Sequence, residues 1–311
     1  MVDALSAQVH PALGQFKPRD VEELVDFYFH RRLAARVVSR LAKTSVTPDQ
    51  LTYASGLSAV AGGIAFGTAT PERSLQTLLG VLLFLGSVVL DCADGQLARA
   101  RGISSYAGRM LDGVVDAVSV TAILGGQLAW LVAGGMPLWL GVVVGWATGL
   151  SFKWHAHRYD HVKNVYLHNV DGSRAKACAS PQLEEIDRER EEHERAGHWF
   201  KALLCRGFRR FTLAQRRGLA GRSGLDVPAQ QTFDQRRRYR DHFRRFMRLW
   251  TFNGMGTHME ILMLGCLLSP LYSPAPLLAW AMVAGPMNLY TLYLKREETR
   301  LEATFGFGAG C

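Results

Sequence analysis

The 311-residue chain has few cysteines, and none of them is arranged to do chemistry. Cys92, Cys178, Cys205, Cys266 and Cys311 form no C-x-x-C pair, and two lie in apolar segments. This excludes a disulfide framework and a cysteine zinc site. Met1 to Lys17 lacks an apolar run, so no cleaved signal peptide is expected. Charge is missing from long stretches, and apolar residues are missing from others. Thr68–Arg73 carries one arginine, and the turns Gly134–Pro137 and Ser269–Pro276 carry no cation.

What is present is the complement of those absences. Hydrophobic residues make up 48% of the chain. They gather in runs of roughly twenty, the length that crosses a bilayer core. The runs fall at about 51–69, 75–97, 111–133, 136–152, 250–271 and 276–294. The net charge of +9 is concentrated between them. Arg31, Arg32, Arg36 and Arg40 precede the first run, and Arg99, Arg101 and Arg109 sit near the second turn. Segment 153–248 is strongly basic, and Lys295 and Arg296 follow the last run. All of these fall on one side of a six-span layout, which the positive-inside rule makes cytoplasmic along with both termini.

The expected fold is therefore all-α: a polytopic membrane protein with six transmembrane helices plus an N-terminal interfacial amphipathic helix. That amphipathic helix is expected from Asp20, with Leu24, Phe27, Leu33, Val37 and Leu41 on one face. Thr47-Pro48-Asp49-Gln50 reads as a capping-box helix start. Four segments follow. Residues 1–48 form the arm and interfacial helix, and 49–165 hold spans one to four. Residues 166–248 are a basic cytoplasmic insertion, and 249–311 hold spans five and six and the tail. Within the insertion, Leu183–Trp199 reads as a charged helix. After it, arginines alternate with Phe208, Phe211, Phe243 and Phe246. Nucleic acid fits this composition. A surface lying on anionic lipid fits better, because membrane spans tether both ends.

Four aspartates stand where hydrocarbon least tolerates them. Asp91 and Asp94 close the second run, and Asp112 and Asp116 open the third. Intramembrane carboxylates are costly and usually functional. Spacings of three and four put each pair on one helix face, and the short turn makes the helices antiparallel neighbours. Four converging carboxylates repel one another unless divalent cations join them, and an all-oxygen donor set suits Mg²⁺ or Mn²⁺. Two such ions are expected, clamping a diphosphate. Gly95 and Gly108 leave room for a nucleotide, and Arg99 can neutralise phosphate.

Asp91-x-x-Asp94-Gly95-x-x-Ala98-Arg99, then Gly108, Asp112 and Asp116, resembles the signature of the CDP-alcohol phosphatidyltransferases at every signature position. The resemblance covers the membrane core and omits the insertion. It implies that Asp91, Asp94, Asp112 and Asp116 hold the metals, and that Asp116 also acts as base. It implies that Asp94, Gly95, Ala98, Arg99 and Gly108 form the CDP pocket, and that CMP leaves. Gly113 and Ala117 depart from the phosphatidylglycerophosphate synthase pattern, and Ala117 also departs from the inositol type. Gly102-Ile103-Ser104-Ser105 faintly resembles the aminoalcohol phosphotransferases, which take CDP-choline or CDP-ethanolamine with a lipid acceptor.

Lys153, His157, Arg158 and His161 at the end of the fourth run, and His258 in the fifth, are candidate acceptor-binding residues. Interfacial snorkelling explains the first group equally simply. Helix-to-helix hydrogen bonding does the same for His258, Glu260 and Asn288. Expected partners are a CDP-linked donor, an alcohol acceptor, membrane lipid, anionic lipid at the insertion and a second copy of the chain; nucleic acid is not expected. The expected location is the cytoplasmic membrane. A cation transporter is the competing class. It is disfavoured because the carboxylates lie near one surface and no inverted repeat is visible.

Overall fold

A computed structural model describes residues 19–70, 74–103, 105–170, 183–219 and 232–305. Among the described residues every regular element is helical. In chain order the α-helices are α1 (Arg31–Leu41), α2 (Pro48–Gly67), α3 (Ser74–Ala100), α4 (Tyr106–Ala133), α5 (Leu138–Val170), α6 (Leu183–Arg195), α7 (Trp199–Leu219), α8 (Phe233–Trp250), α9 (Met255–Leu268), α10 (Ala275–Ala284) and α11 (Pro286–Phe305).

Three helical stretches are each long and apolar enough to cross a bilayer: Leu75–Ala100, Tyr106–Ala133 and Ala275–Phe305. The other expected spans coincide with helices that are glycine-rich (α2), apolar over only their first half (α5) or short (α9, 14 residues). The sixth expected span is divided at Gly285–Pro286. Pro286 lacks the N–H that a continuous helix would need there. α5 runs on to Val170, past the expected boundary at 165.

The N-terminal segment also differs from a single amphipathic helix. It is a 3₁₀ turn at Arg19–Val21, a π-helical turn at Asp26–His30, and then α1. Two side-chain preferences break the regularity. Glu22 and Glu23 are turned inward and buried, and Glu22 pairs with Arg31. His30 Nδ1 meets Asp26 at 2.9 Å while its Nε2 meets Glu260 of α9 at 2.7 Å. α1 buries Ala34, Ala35 and Val38 beside Ala93 and Leu97 of α3, and keeps Arg32, Arg36 and Arg40 exposed.

α2 starts as its sequence requires: the Gln50 amide donates to Thr47 Oγ1 (3.3 Å), and the Thr47 amide donates to the Gln50 side chain (2.9 Å). Its glycines bring backbones into contact. A Cβ on Gly63 would sit 2.5 Å from the Ala122 carbonyl oxygen, and one on Gly126 would sit 2.7 Å from the Gly63 oxygen. Helices this close are held by dispersion between main chains. The α2–α4 contact in turn fixes where α4 stands. Below the site, Phe66, Phe84, Ile123, Trp130, Phe152, Met259 and Trp280 form one core. Gln127 is buried there with its polar atoms satisfied by the Leu262 carbonyl (2.7 Å) and the Trp280 indole N–H (2.6 Å).

Candidate active site

The α3–α4 link is short because Gly102 takes a left-handed conformation (φ +66°), which L-residues resist. Arg101 ties that link to the α1–α2 loop, donating to the carbonyls of Leu41 (3.0 Å) and Thr44 (2.7 Å) and to that of Val46. The cation counted at sequence level as a topology signal is thus also a brace.

Antiparallel α3 and α4 bring the motif together. One carboxylate oxygen from each of Asp91, Asp112 and Asp116 lies within 4.8 Å of the others. Asp94, almost fully buried, accepts a hydrogen bond from Thr52 of α2. All four line one polar cavity of about 400 Å³, with Gly95 and Arg99 beside them. Three hard oxygen donors at that separation suit a divalent cation of the Mg²⁺ or Mn²⁺ type. Of the expected nucleotide residues, Ala98 and Gly108 do not line the cavity. Gly108 instead faces Asp49, whose Oδ1 lies 3.6 Å from where a Cβ would stand.

A larger groove of about 900 Å³ runs along α2, α4 and α7, but no carboxylate lines it. The four aspartates all line the smaller, polar cavity.

The acceptor candidates are placed differently from the motif. α5 lines the cavity with Ala156, Tyr159, Asp160 and Lys163. Lys153 and His157 are exposed and do not line the cavity, His161 is half-buried outside it, and Arg158 pairs with Glu298 of α11 at 2.8 Å. His258 is fully buried and joins helices: its Nδ1 donates to the Gly254 carbonyl (2.7 Å), and its Nε2 meets His155 Nδ1 (2.8 Å). His155 Nε2 meets Asn288 at 2.8 Å. These residues knit α5, α9 and α11.

The cavity's far wall comes from residues the sequence pattern did not single out for it. Glu22, Glu23, Asp26 and Arg31 reach it from the N-terminal segment. Tyr159 holds that segment by donating to the Val21 carbonyl. From outside, α8 clamps the same segment: Arg240 and Arg244 pair with Asp20 at 2.7 and 2.8 Å, and Arg248 donates to the Arg19 carbonyl at 2.6 Å. Burial works to raise the Asp20 carboxyl, but the two arginines and Tyr166 outweigh it and hold it below its ordinary range. Phe243 and Phe246, read from sequence as part of a lipid-facing surface, are buried with Tyr239 and Trp250 under this clamp. Their positions on α8 are those that the packing of the arm requires.

The insertion reaches the helix that carries Asp112 and Asp116. Glu189 of α6 accepts hydrogen bonds from the amides of Tyr106 (2.8 Å) and Ala107 (3.0 Å) and from Ser105 Oγ (2.9 Å). Ser105 Oγ accepts from the Gly108 amide (3.0 Å). The first amides of α4, which a helix leaves unpaired, are therefore met. Burial raises the Glu189 carboxyl, but these hydrogen bonds pull it down further, for a net lowering. His193 and Cys205 lie near Glu189, whose oxygens the three donors of the α4 start already engage.

Residues 45–177 match the CDP-alcohol phosphatidyltransferase family. The archaetidylinositol phosphate synthase of Pyrococcus horikoshii is 35% identical over 104 residues, 33% of this chain and 50% of that protein. The phosphatidylinositol phosphate synthase of Mycobacterium marinum is 34% identical over 111 residues, 34% of this chain and 45% of that protein. That of Streptomyces avermitilis is 30% identical over 107 residues. The chain thus spans about half the length of the curated relatives it matches, or slightly less. The matching segment 45–177 holds all four aspartates, so the likeness to the CDP-alcohol phosphatidyltransferase family falls on the part of the chain that builds the cavity.

Proposed function

We propose that the protein is a membrane CDP-alcohol phosphotransferase, moving a substituted phosphate such as phosphatidyl from a CDP-linked donor to an alcohol. The observation that carries this reading is the convergence of Asp91, Asp112 and Asp116, with Asp94 beside them, in one cavity inside the family-matching segment. A divalent metal pair, when bound, offsets the negative charge of the diphosphate and of the departing CMP. Asp91, Asp94 and Asp112 would hold it, with Asp116 contributing. Arg99, whose guanidinium lies against the Gly95 backbone, would receive the nucleotide side.

Asp116 accepts the acceptor's hydroxyl proton. The freed oxygen bonds to the phosphorus distal to cytidine, and the bond from that phosphorus to the bridging oxygen breaks. CMP leaves with the electron pair. A base held at reacting distance and a preorganised site supply the catalysis. Six spans with both termini cytoplasmic would set this cavity at the cytoplasmic edge, where CDP compounds arrive. The basic segments on one side support that arrangement.

The test is metal-dependent CMP release by the purified chain. Activity is expected to vanish in EDTA and return with Mg²⁺ or Mn²⁺. Full turnover after metal removal would refute the two-metal reading.

A further inference from the structure

The wall facing the four aspartates has its own charge pattern. It contributes four more carboxylates, Glu22, Glu23, Asp26 and Asp160, against two cations, Arg31 and Lys163. Each cation is already taken: Arg31 pairs with Glu22, and Lys163 pairs with Asp160. Glu23 accepts from the Thr257 amide at 2.9 Å. Asp26 shares a single imidazole, His30, with Glu260. Among the described residues this wall is therefore net negative, and its two cations are neutralised in place. Arg99 stands beside Gly95, on the side assigned to the nucleotide.

Like charge at short range in a partly desolvated cleft is repulsive, and discrimination by repulsion is as effective as discrimination by attraction. A phosphorylated alcohol would bring about two more negative charges to this wall. An uncharged polyol needs only hydrogen-bond partners, and carboxylates supply acceptors for its hydroxyls. An amino alcohol would gain from the same field. We propose that the acceptor of this enzyme is a polar alcohol that carries no phosphate, either uncharged or cationic. This rests on the transferase reading, and it separates the chain from the relatives named inositol phosphate synthases.

The experiment uses the full chain in neutral detergent with Mn²⁺ and CDP-diacylglycerol. CMP release is followed with myo-inositol against myo-inositol 1-phosphate, with glycerol against glycerol 3-phosphate, and with ethanolamine. The lipid product is identified by mass spectrometry. The expected result is at least a tenfold higher kcat/KM for the unphosphorylated alcohols, carried by KM, with a product lacking a headgroup phosphate. Two variants read the charge directly. Asp160→Asn releases Lys163 and should lower KM for the phosphorylated alcohol about threefold or more; Lys163→Gln should raise it. Equal use or preference for the phosphorylated partners would overturn the acceptor assignment and leave the transferase reading standing. Absence of CMP release with every alcohol would overturn the transferase reading, and this inference with it.

Discussion

Asp116→Asn keeps the size and polarity of its side chain while removing the proposed base, so it separates the two roles proposed for one cavity. It should lower single-turnover rate by about 100-fold or more, the usual scale of a lost general base, while donor affinity by calorimetry changes little. Asp94→Asn should instead weaken donor binding, because Asp94 is fixed by Thr52 and faces the nucleotide end beside Gly95 and Arg99. Equal loss of donor affinity in both variants would make Asp116 chiefly a metal ligand. His30 offers a different test, through pH. Burial lowers its affinity for a proton, yet Asp26 and Glu260 outweigh this and push it up to about 9, from 6.5. The folded state then binds this proton more tightly than the unfolded chain. Its contribution to stability is full below about pH 6.5 and is lost as pH rises through about 9. The apparent thermal midpoint in detergent should fall across that window in the native chain. In His30→Gln it should fall less, and superimposable pH profiles would exclude the bridge as the cause.

At the scale of helices, Asp112 and Asp116 are only as well placed as α4. That helix is fixed at its N-terminal start by Glu189 and along its length by α2. Glu189→Ala leaves the Tyr106 and Ala107 amides without their partner and should destabilise by about 1–3 kcal/mol, the scale of charged hydrogen bonds. The loss should appear above about pH 4.5, where the unfolded-state carboxyl is charged, and vanish as pH falls through the lower folded-state value. Gly63→Ala would place a methyl group 2.5 Å from the Ala122 oxygen. Overpacking of this kind costs about 1–3 kcal/mol, read as a lower thermal midpoint, and turnover should fall as α4 is pushed aside. How much of this was legible follows from the range of each interaction. The aspartate pairs and the Thr47–Gln50 cap were readable because their spacing is local and periodic. Glu189, Thr52 and Glu22 act across 42 residues or more or through a turn that breaks the helical period. No local pattern announces such a contact. Ala156, Asp160 and Lys163 share a face of α5 at helical spacing, so that face was visible; what was not visible was which face meets the cavity.

For the whole molecule, the question is what the basic insertion does beyond positioning. Among the arginines of α8, two sets of three differ in what they hold. Arg240, Arg244 and Arg248 are used in holding the N-terminal segment against the cavity. Arg237, Arg238 and Arg245 are exposed. A composition rich in arginine could not distinguish these sets, because the arm that claims the first lies more than 200 residues away. If the exposed set meets the headgroups of the cytoplasmic leaflet, each cation near the surface contributes about 1 kcal/mol. Reversing all three to glutamate should therefore strip anionic phospholipid from the purified protein, measured as bound lipid by native mass spectrometry. It should do so while leaving turnover in neutral detergent close to that of the native chain. Reversing Arg240 and Arg244 should do the opposite, releasing Asp20, loosening the cavity wall and lowering turnover even where no anionic lipid is present. If the exposed set lowers turnover in neutral detergent as much as the clamping set, then this surface is coupled to the active site and is not merely a lipid contact.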